Sequence, residues 1–202
     1  MPVINIDDGA LKTYFTAKGR TNNAVDKEFW PDYKTPSERA VLSNFYYRTV
    51  NGWMTDTNGI NYLKVSQGAQ VEYTGYSPYI GNPKTNGITI ELDFKMSGIL
   101  AYEDNAKLIE CLSLDNNGKI KTGFFVTGDS FKYYASGSEL VSLDLVSDQR
   151  IHLTYVIEAS NSNEYPMCYT YLNGILSNAY SYKTSDDFTN NDAYKGFLKI
   201  NS

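Results

Sequence analysis

Ile88-Thr89-Ile90-Glu91-Leu92-Asp93-Phe94-Lys95-Met96 alternates apolar and polar side chains without a break. Successive side chains of a strand leave on opposite faces, so a period of 2 predicts a strand with one face on a core and one in water. Ile88, Ile90, Leu92, Phe94 and Met96 are expected inside, with Glu91, Asp93 and Lys95 far more exposed. Ile151–Ile157 repeats the pattern with one exception, Val156. Asn173-Gly174 separates two runs of matching length, 165–172 and 175–182, and predicts a hairpin, because both central residues of a type I′ turn need positive φ. Further strands are expected over 44–48, 60–65, 69–73, 107–113, 120–126, 130–134 and 197–201. Asn58-Gly59, Gln67-Gly68, Asn116-Asn117-Gly118 and Gly128-Asp129 supply turns between them. No helix longer than two turns is expected. Many short strands with regular turns predict an all-β chain, a two-sheet antiparallel jelly-roll sandwich.

Composition agrees and closes off several functions. The 202 residues hold Tyr 18, Phe 9 and Trp 2, a balance that suits pleated, half-buried surfaces. At 42% hydrophobic and 20% charged, the chain is globular in character. A net charge of -5 argues against a general nucleic-acid binder, which needs a basic footprint. No apolar run approaches the ~20 residues that span a bilayer. A single histidine and two cysteines cannot complete a four-ligand zinc site without a carboxylate. Cys111 and Cys168 sit among apolar or aromatic neighbours and are expected as buried free thiols, which pack as small hydrophobes.

Residues 1–40 lack the period of 2 and balance their charges, whereas the remainder carries the whole net charge. Thr35-Pro36-Ser37-Glu38 fits a capping box with proline at the first helical position, enough for a turn or two of helix through Leu42. The expected organisation is therefore an N-terminal arm or linker over 1–40, followed by a β-sandwich domain over 41–202.

Two stretches carry a family likeness. The first is Gly52-Trp53, Tyr62-Leu63-Lys64-Val65, Gly68–Tyr73 and Gly87–Phe94; the second is Ile151–Val156 with Tyr169–Ile175. Over about 45–201 the chain resembles the concanavalin A-like, laminin-G-like jelly roll. Gly19–Asn23, Phe29-Trp30 and Leu42-Ser43-Asn44-Phe45 are similar to laminin-G-like segments of tail or baseplate proteins in phages of Gram-positive bacteria. The family's usual final strand has no counterpart after Phe197-Leu198-Lys199-Ile200. Either the chain is a piece of a longer protein, or that strand comes from elsewhere. The resemblance implies a virion protein made in the bacterial host cytoplasm. It would contact bacterial surface glycan and other virion subunits, and would assemble as a homo-oligomer.

Some glycoside hydrolases of this fold carry Glu-x-Asp-x-(x)-Glu on one strand, where paired carboxylates act as nucleophile and acid at roughly 5–5.5 Å. Glu91 and Asp93 share a face here, but Lys95 takes the next place in register, and an ordinary solvated strand face is the expectation. His152 lies mid-strand on a polar face beside Thr154, and no Gly-x-Ser-x-Gly elbow accompanies it. The chain is therefore expected to be no enzyme and to need no cofactor. Asp56-Thr57-Asn58 and Asp115-Asn116-Asn117 offer hard oxygen donors of the kind calcium takes, although such residues also serve turns for backbone reasons alone.

Tyrosine is the informative polar aromatic. Its flat ring can stack on a sugar and its hydroxyl can hydrogen-bond it at low entropic cost. Tyr73, Tyr76 and Tyr79 fall close together among Gly75, Ser77 and Pro78, and with Trp53 they form the expected ligand-binding set. The favoured expectation is a non-catalytic carbohydrate-binding or adhesive module of a phage tail. The alternative is a purely structural module that joins subunits of a tail or baseplate, a role suited to Phe29, Trp30 and Tyr33.

Overall fold

The structure, a computed structural model, describes residues 13–73, 79–80, 87–97, 106–114, 116–135, 138–146, 148–158, 167–181, 194–195 and 197–201. Among these residues the regular elements are all strands. They are β1 (Phe29–Pro31), β2 (Arg39–Ser43), β3 (Gly52–Thr55), β4 (Asn61–Lys64), β5 (Gln70–Tyr73), β6 (Tyr79–Ile80), β7 (Ile88–Lys95) and β8 (Ile109–Leu114). There follow β9 (Ile120–Val126), β10 (Ser130–Ala135), β11 (Ser138–Asp144), β12 (Arg150–Ile157), β13 (Met167–Leu172), β14 (Ile175–Ser181), β15 (Tyr194–Lys195) and β16 (Phe197–Asn201). The chain divides into two compact units, Met1–Tyr79 with Phe197–Ser202, and Ile80–Gly196. The expected boundary after residue 40 falls inside β2.

In the first unit β1, β2, β5 and β16 pair antiparallel in that order, with Leu42 opposite Val71 and Val71 opposite Ile200. Alternation turns Ala40, Leu42, Val71 and Tyr73 inward, where they meet Ala17 and Trp53. Rings run edge-to-face from Tyr73 to Phe15 (5.2 Å), Phe15 to Trp30 (5.5 Å) and Trp30 to Trp53 (5.6 Å). Both indoles donate to carbonyls, Trp30 to Thr16 and Trp53 to Lys27, each at 2.9 Å. These contacts weld residues 15–30 into the unit's own core.

Two expectations fail here. The helical turn through Leu42 is instead a tight turn, with the Glu38 amide donating to the Thr35 carbonyl at 2.8 Å, and the chain then runs straight into β2. Proline suits the second position of a turn as well as the first turn of a helix, and the burial of Ala40 and Leu42 decides between them. The strand expected over 44–48 is a loop. Asn44 and Tyr47 take positive φ (62° and 56°), which ends any extended run. The buried Asn51 side chain organises that loop: its Oδ1 accepts from the Tyr46 amide (2.7 Å) and its Nδ2 donates to Ser66 Oγ (2.8 Å).

The second unit holds two four-stranded antiparallel arrays, β8-β9-β10-β11 and β14-β13-β12-β7. β7 follows its expected alternation throughout: Ile88, Ile90, Leu92 and Phe94 are half-buried, Met96 is buried, and Thr89, Glu91, Asp93 and Lys95 are exposed. β12 does the same with Ile151, Leu153, Tyr155 and Ile157 buried. The inward sides of the two arrays meet through aromatic rings. Tyr155 lies 5.0 Å from Tyr133 and 5.7 Å from Phe131, and its hydroxyl is 2.8 Å from that of Tyr180. Burying one large apolar side chain is worth about 1.5–3 kcal/mol, so this layer dominates the unit's stability. Cys111 and Cys168 are buried free thiols, and burial alone pushes the Cys111 thiol up to about 12.

Hairpin chemistry falls where expected. Asn173 (φ 52°) and Gly174 (φ 81°) close β13 onto β14. The Asn116–Gly118 turn joins β8 to β9, and Thr127–Asp129 joins β9 to β10 with Thr127 Oγ1 2.7 Å from Asp129 Oδ1.

Candidate functional site

Two of the four residues expected to bind a ligand, Trp53 and Tyr73, lie in the core of the first unit. Trp53 is 4% exposed and Tyr73 1% exposed, so neither ring has a free face. Arg20 lies over the Trp53 ring, 5.2 Å from its centroid, and the Tyr73 hydroxyl donates to Glu38 Oε2. Desolvation first, and Glu38 second, raise the Tyr73 phenol well above its ordinary range. Tyr76 and the side chain of Tyr79 lie outside the described residues.

A different surface gathers aromatic and polar groups: the outward side of β7, β12, β13 and β14. Register builds it row by row. Val156 pairs with Thr89 on one side and Tyr169 on the other; Thr154 pairs with Glu91 and Tyr171; His152 pairs with Asp93. Because Tyr155 and Thr170 turn inward, Tyr169 and Tyr171 must turn outward, two residues apart on one strand. Their ring centroids are 6.5 Å apart and their planes 33° apart, so they form one shallow aromatic step. Ala179 of β14 flanks Tyr169, and Leu176 flanks Tyr171.

Beside the rings runs a polar ladder. Arg150 grips Asp93 with both forks of its guanidinium, Nε to Oδ1 at 2.8 Å and Nη2 to Oδ2 at 2.6 Å. This contact holds the Asp93 carboxyl below its usual range, with burial opposing and His152 adding a minor pull. His152 is exposed, and its amide donates to Asn173 Oδ1 at 2.9 Å while the Asn173 amide returns a bond to the His152 carbonyl at 2.8 Å. The hairpin tip is thereby tied to the row that carries His152 and Asp93. Desolvation, followed by Glu158, raises the Tyr169 phenol, so it stays protonated as a donor.

This face can hold a flat, hydroxylated ligand. Asp93 is poorly suited to act as an acid there, since a carboxylate clamped by arginine resists protonation, the reverse of the raised acid a glycosidase needs. Among the described residues no three His, Cys, Asp or Glu side chains converge as metal ligands. Asp56 spends its Oδ1 on the amides of Asn58 (2.9 Å) and Ile60 (2.8 Å), which is turn-stabilising work. Asp115 lies outside the described residues.

Sequence reasoning missed Tyr169 and Tyr171 because it weighed tyrosines by their density in a segment. The usable signal was present. Cys168, expected to be buried, alternates with Tyr169 and Tyr171 in the run 165–172 and so sends both rings to the opposite face of that strand; which neighbours they meet there follows only from the β12–β13 register. No protein-family model matches the chain, and no curated protein shows significant similarity to it.

Proposed function

We propose that the chain is a non-catalytic carbohydrate-binding or adhesive module of concanavalin A-like, laminin-G-like jelly-roll type, serving a phage tail at the bacterial surface. The glycan lies along the outward side of β7-β12-β13-β14. The observation that carries this reading is the Tyr169–Tyr171 step beside Thr154, His152 and the Arg150–Asp93 pair. Rings in that arrangement stack on sugar faces, and the neighbouring hydroxyl, imidazole and guanidinium offer hydrogen bonds to sugar hydroxyls. Two aromatic sheet faces in contact, as Tyr155 makes with Tyr133 and Phe131, are what a sandwich of this type requires.

Each stacked and hydrogen-bonded contact is worth about 1–2 kcal/mol. Two such contacts give at most about 4 kcal/mol, a millimolar affinity before association costs and a weaker one after them. Adhesion then depends on several copies acting together. The test is binding to polyvalent bacterial wall polysaccharide by wild type, a Tyr169→Ala, Tyr171→Ala double variant, and a Tyr46→Ala control on an exposed loop. The double variant is expected to lose at least ~10-fold in apparent affinity, the equivalent of one contact, while the control binds as wild type. Equal binding by all three overturns the site.

A further inference from the structure

We propose that Asn58 is a site of spontaneous covalent modification, the position at which the folded chain loses a side-chain amide to give aspartate and isoaspartate. The reaction needs an asparagine followed by a residue whose amide nitrogen is open to attack. Glycine leaves that nitrogen least shielded, because it has no Cβ. Asn-Gly occurs at 51–52, 58–59, 86–87, 117–118 and 173–174. Asn86 lies outside the described residues, and the structure separates the other four.

Asn51 is 1% exposed, and both ends of its amide are held: Oδ1 accepts from the Tyr46 amide, while Nδ2 donates to Ser66 Oγ (2.8 Å) and to the Asn44 carbonyl (3.4 Å). Asn173 is exposed but left-handed, at φ 52°. That conformation swings the Gly174 nitrogen to the side of Cα away from Cβ, and the His152 amide holds Oδ1 at 2.9 Å. Asn117 is exposed and engaged by a neighbour. Asn58 meets none of these restraints. It is exposed, its φ is not positive, and no hydrogen bond or ion pair holds its side chain. A Cβ placed at Gly59 would have nothing within 4 Å, so the neighbouring nitrogen is open to Asn58 and to water. The one restraint lies at Gly59, whose amide donates to the Asp56 carbonyl at 3.1 Å. An exposed bond of that kind slows the attack by about 10-fold at most.

The Gly59 nitrogen attacks Asn58 Cγ. The N–Cγ bond forms, the Cγ–Nδ2 bond breaks, and Nδ2 leaves as ammonia with the Gly59 amide proton. Water then opens the five-membered imide. Addition at Cγ gives aspartate, and addition at the main-chain carbonyl gives isoaspartate. Water is the only co-reactant. Either product brings a carboxylate near Asp56, and the isoaspartyl product also lengthens the main chain inside the turn. That turn joins β3 to β4, and Asp56 holds it by accepting the Asn58 and Ile60 amides on Oδ1 (2.9 and 2.8 Å). The β3–β4 pair is therefore expected to loosen as the chain ages. None of this depends on the glycan reading.

The experiment is incubation of the whole folded chain at mildly alkaline pH, with a parallel incubation in denaturant. Peptide mapping by mass spectrometry follows conversion at each Asn-Gly pair. In the folded chain Asn58 is expected to convert at least ~10-fold faster than Asn51, Asn117 or Asn173, whereas in denaturant the four rates should converge. Hydrogen exchange on the aged, folded chain is expected to be faster at β4 amides than in fresh protein. Conversion at Asn51, Asn117 or Asn173 as fast as at Asn58 overturns the proposal. So does a folded chain whose Asn58 stays intact while the denatured chain converts, or an aged chain whose β4 amides exchange no faster.

Discussion

Tyr73 and Trp53 show how far a residue's type can mislead about its place. Both are amphipathic aromatics beside flexible sequence, which is the profile of a ligand platform, and both are core. In β5, Val71 and Tyr73 share a face, so burying one buries the other; that consequence was legible in the alternation. The Glu38 carboxylate that receives the Tyr73 hydroxyl comes from a distant turn and was not. Tyr73→Phe is expected to cost about 1–3 kcal/mol, the range for a lost hydrogen bond to a charged group, and Trp53→Ala about 3–5 kcal/mol from the cavity it opens. Chemical denaturation measures both, and neither change should touch the Tyr169–Tyr171 face. Asp93 sets an acid limit. Its folded carboxyl titrates below the ordinary 3.8, so the stability from Arg150 is present above that value and is lost as pH falls through the lower, folded one. Both side chains are about half exposed, so Asp93→Asn is expected to cost no more than about 1 kcal/mol at neutral pH and to flatten the stability profile below pH ~4.

Among the elements, β7, β12 and the β13–β14 hairpin were legible because each is long enough to show its period and each ends on a turn with a stated chemistry. β1 and β2 were not. Three or five residues cannot establish a period, and Pro36 supports a turn and a helix start equally well. Tertiary burial of Ala40 and Leu42 settled β2. Gly123 marks another feature that local sequence leaves silent. It sits inside β9 at φ 125°, and a Cβ there would lie 2.1 Å from the Cys111 carbonyl oxygen and 2.9 Å from Leu112 Cα. Backbone, not a flexible side chain, fills the space. Gly123→Ala should therefore destabilise by more than about 2 kcal/mol, combining an unfavourable φ with displacement of the β8–β9 ladder. Thermal unfolding followed by far-ultraviolet circular dichroism reads this directly. A melting temperature within a degree of wild type would show that the ladder can yield.

For the molecule as a whole, the all-β antiparallel fold followed from periodicity and turn chemistry, while the candidate site followed only from register. Each strand's inward set had to be known before its outward set could be placed beside a neighbour's. Surface tyrosines are common in this chain; what distinguishes Tyr169 and Tyr171 is that register sets Val156 and Thr154 of β12 beside them, with Thr89 and Glu91 of β7 next in the same rows and the His152–Asp93 row following. The most direct measurement is a backbone and aromatic-ring NMR titration of the chain with soluble fragments of Gram-positive wall polysaccharide. Shifts are expected to concentrate on Tyr169, Tyr171, Thr154 and His152, with Trp53 and Tyr73 unmoved. Shifts centred on residues of the first unit, or none with any fragment at millimolar concentration, would contradict a glycan site on the outward face of β7-β12-β13-β14.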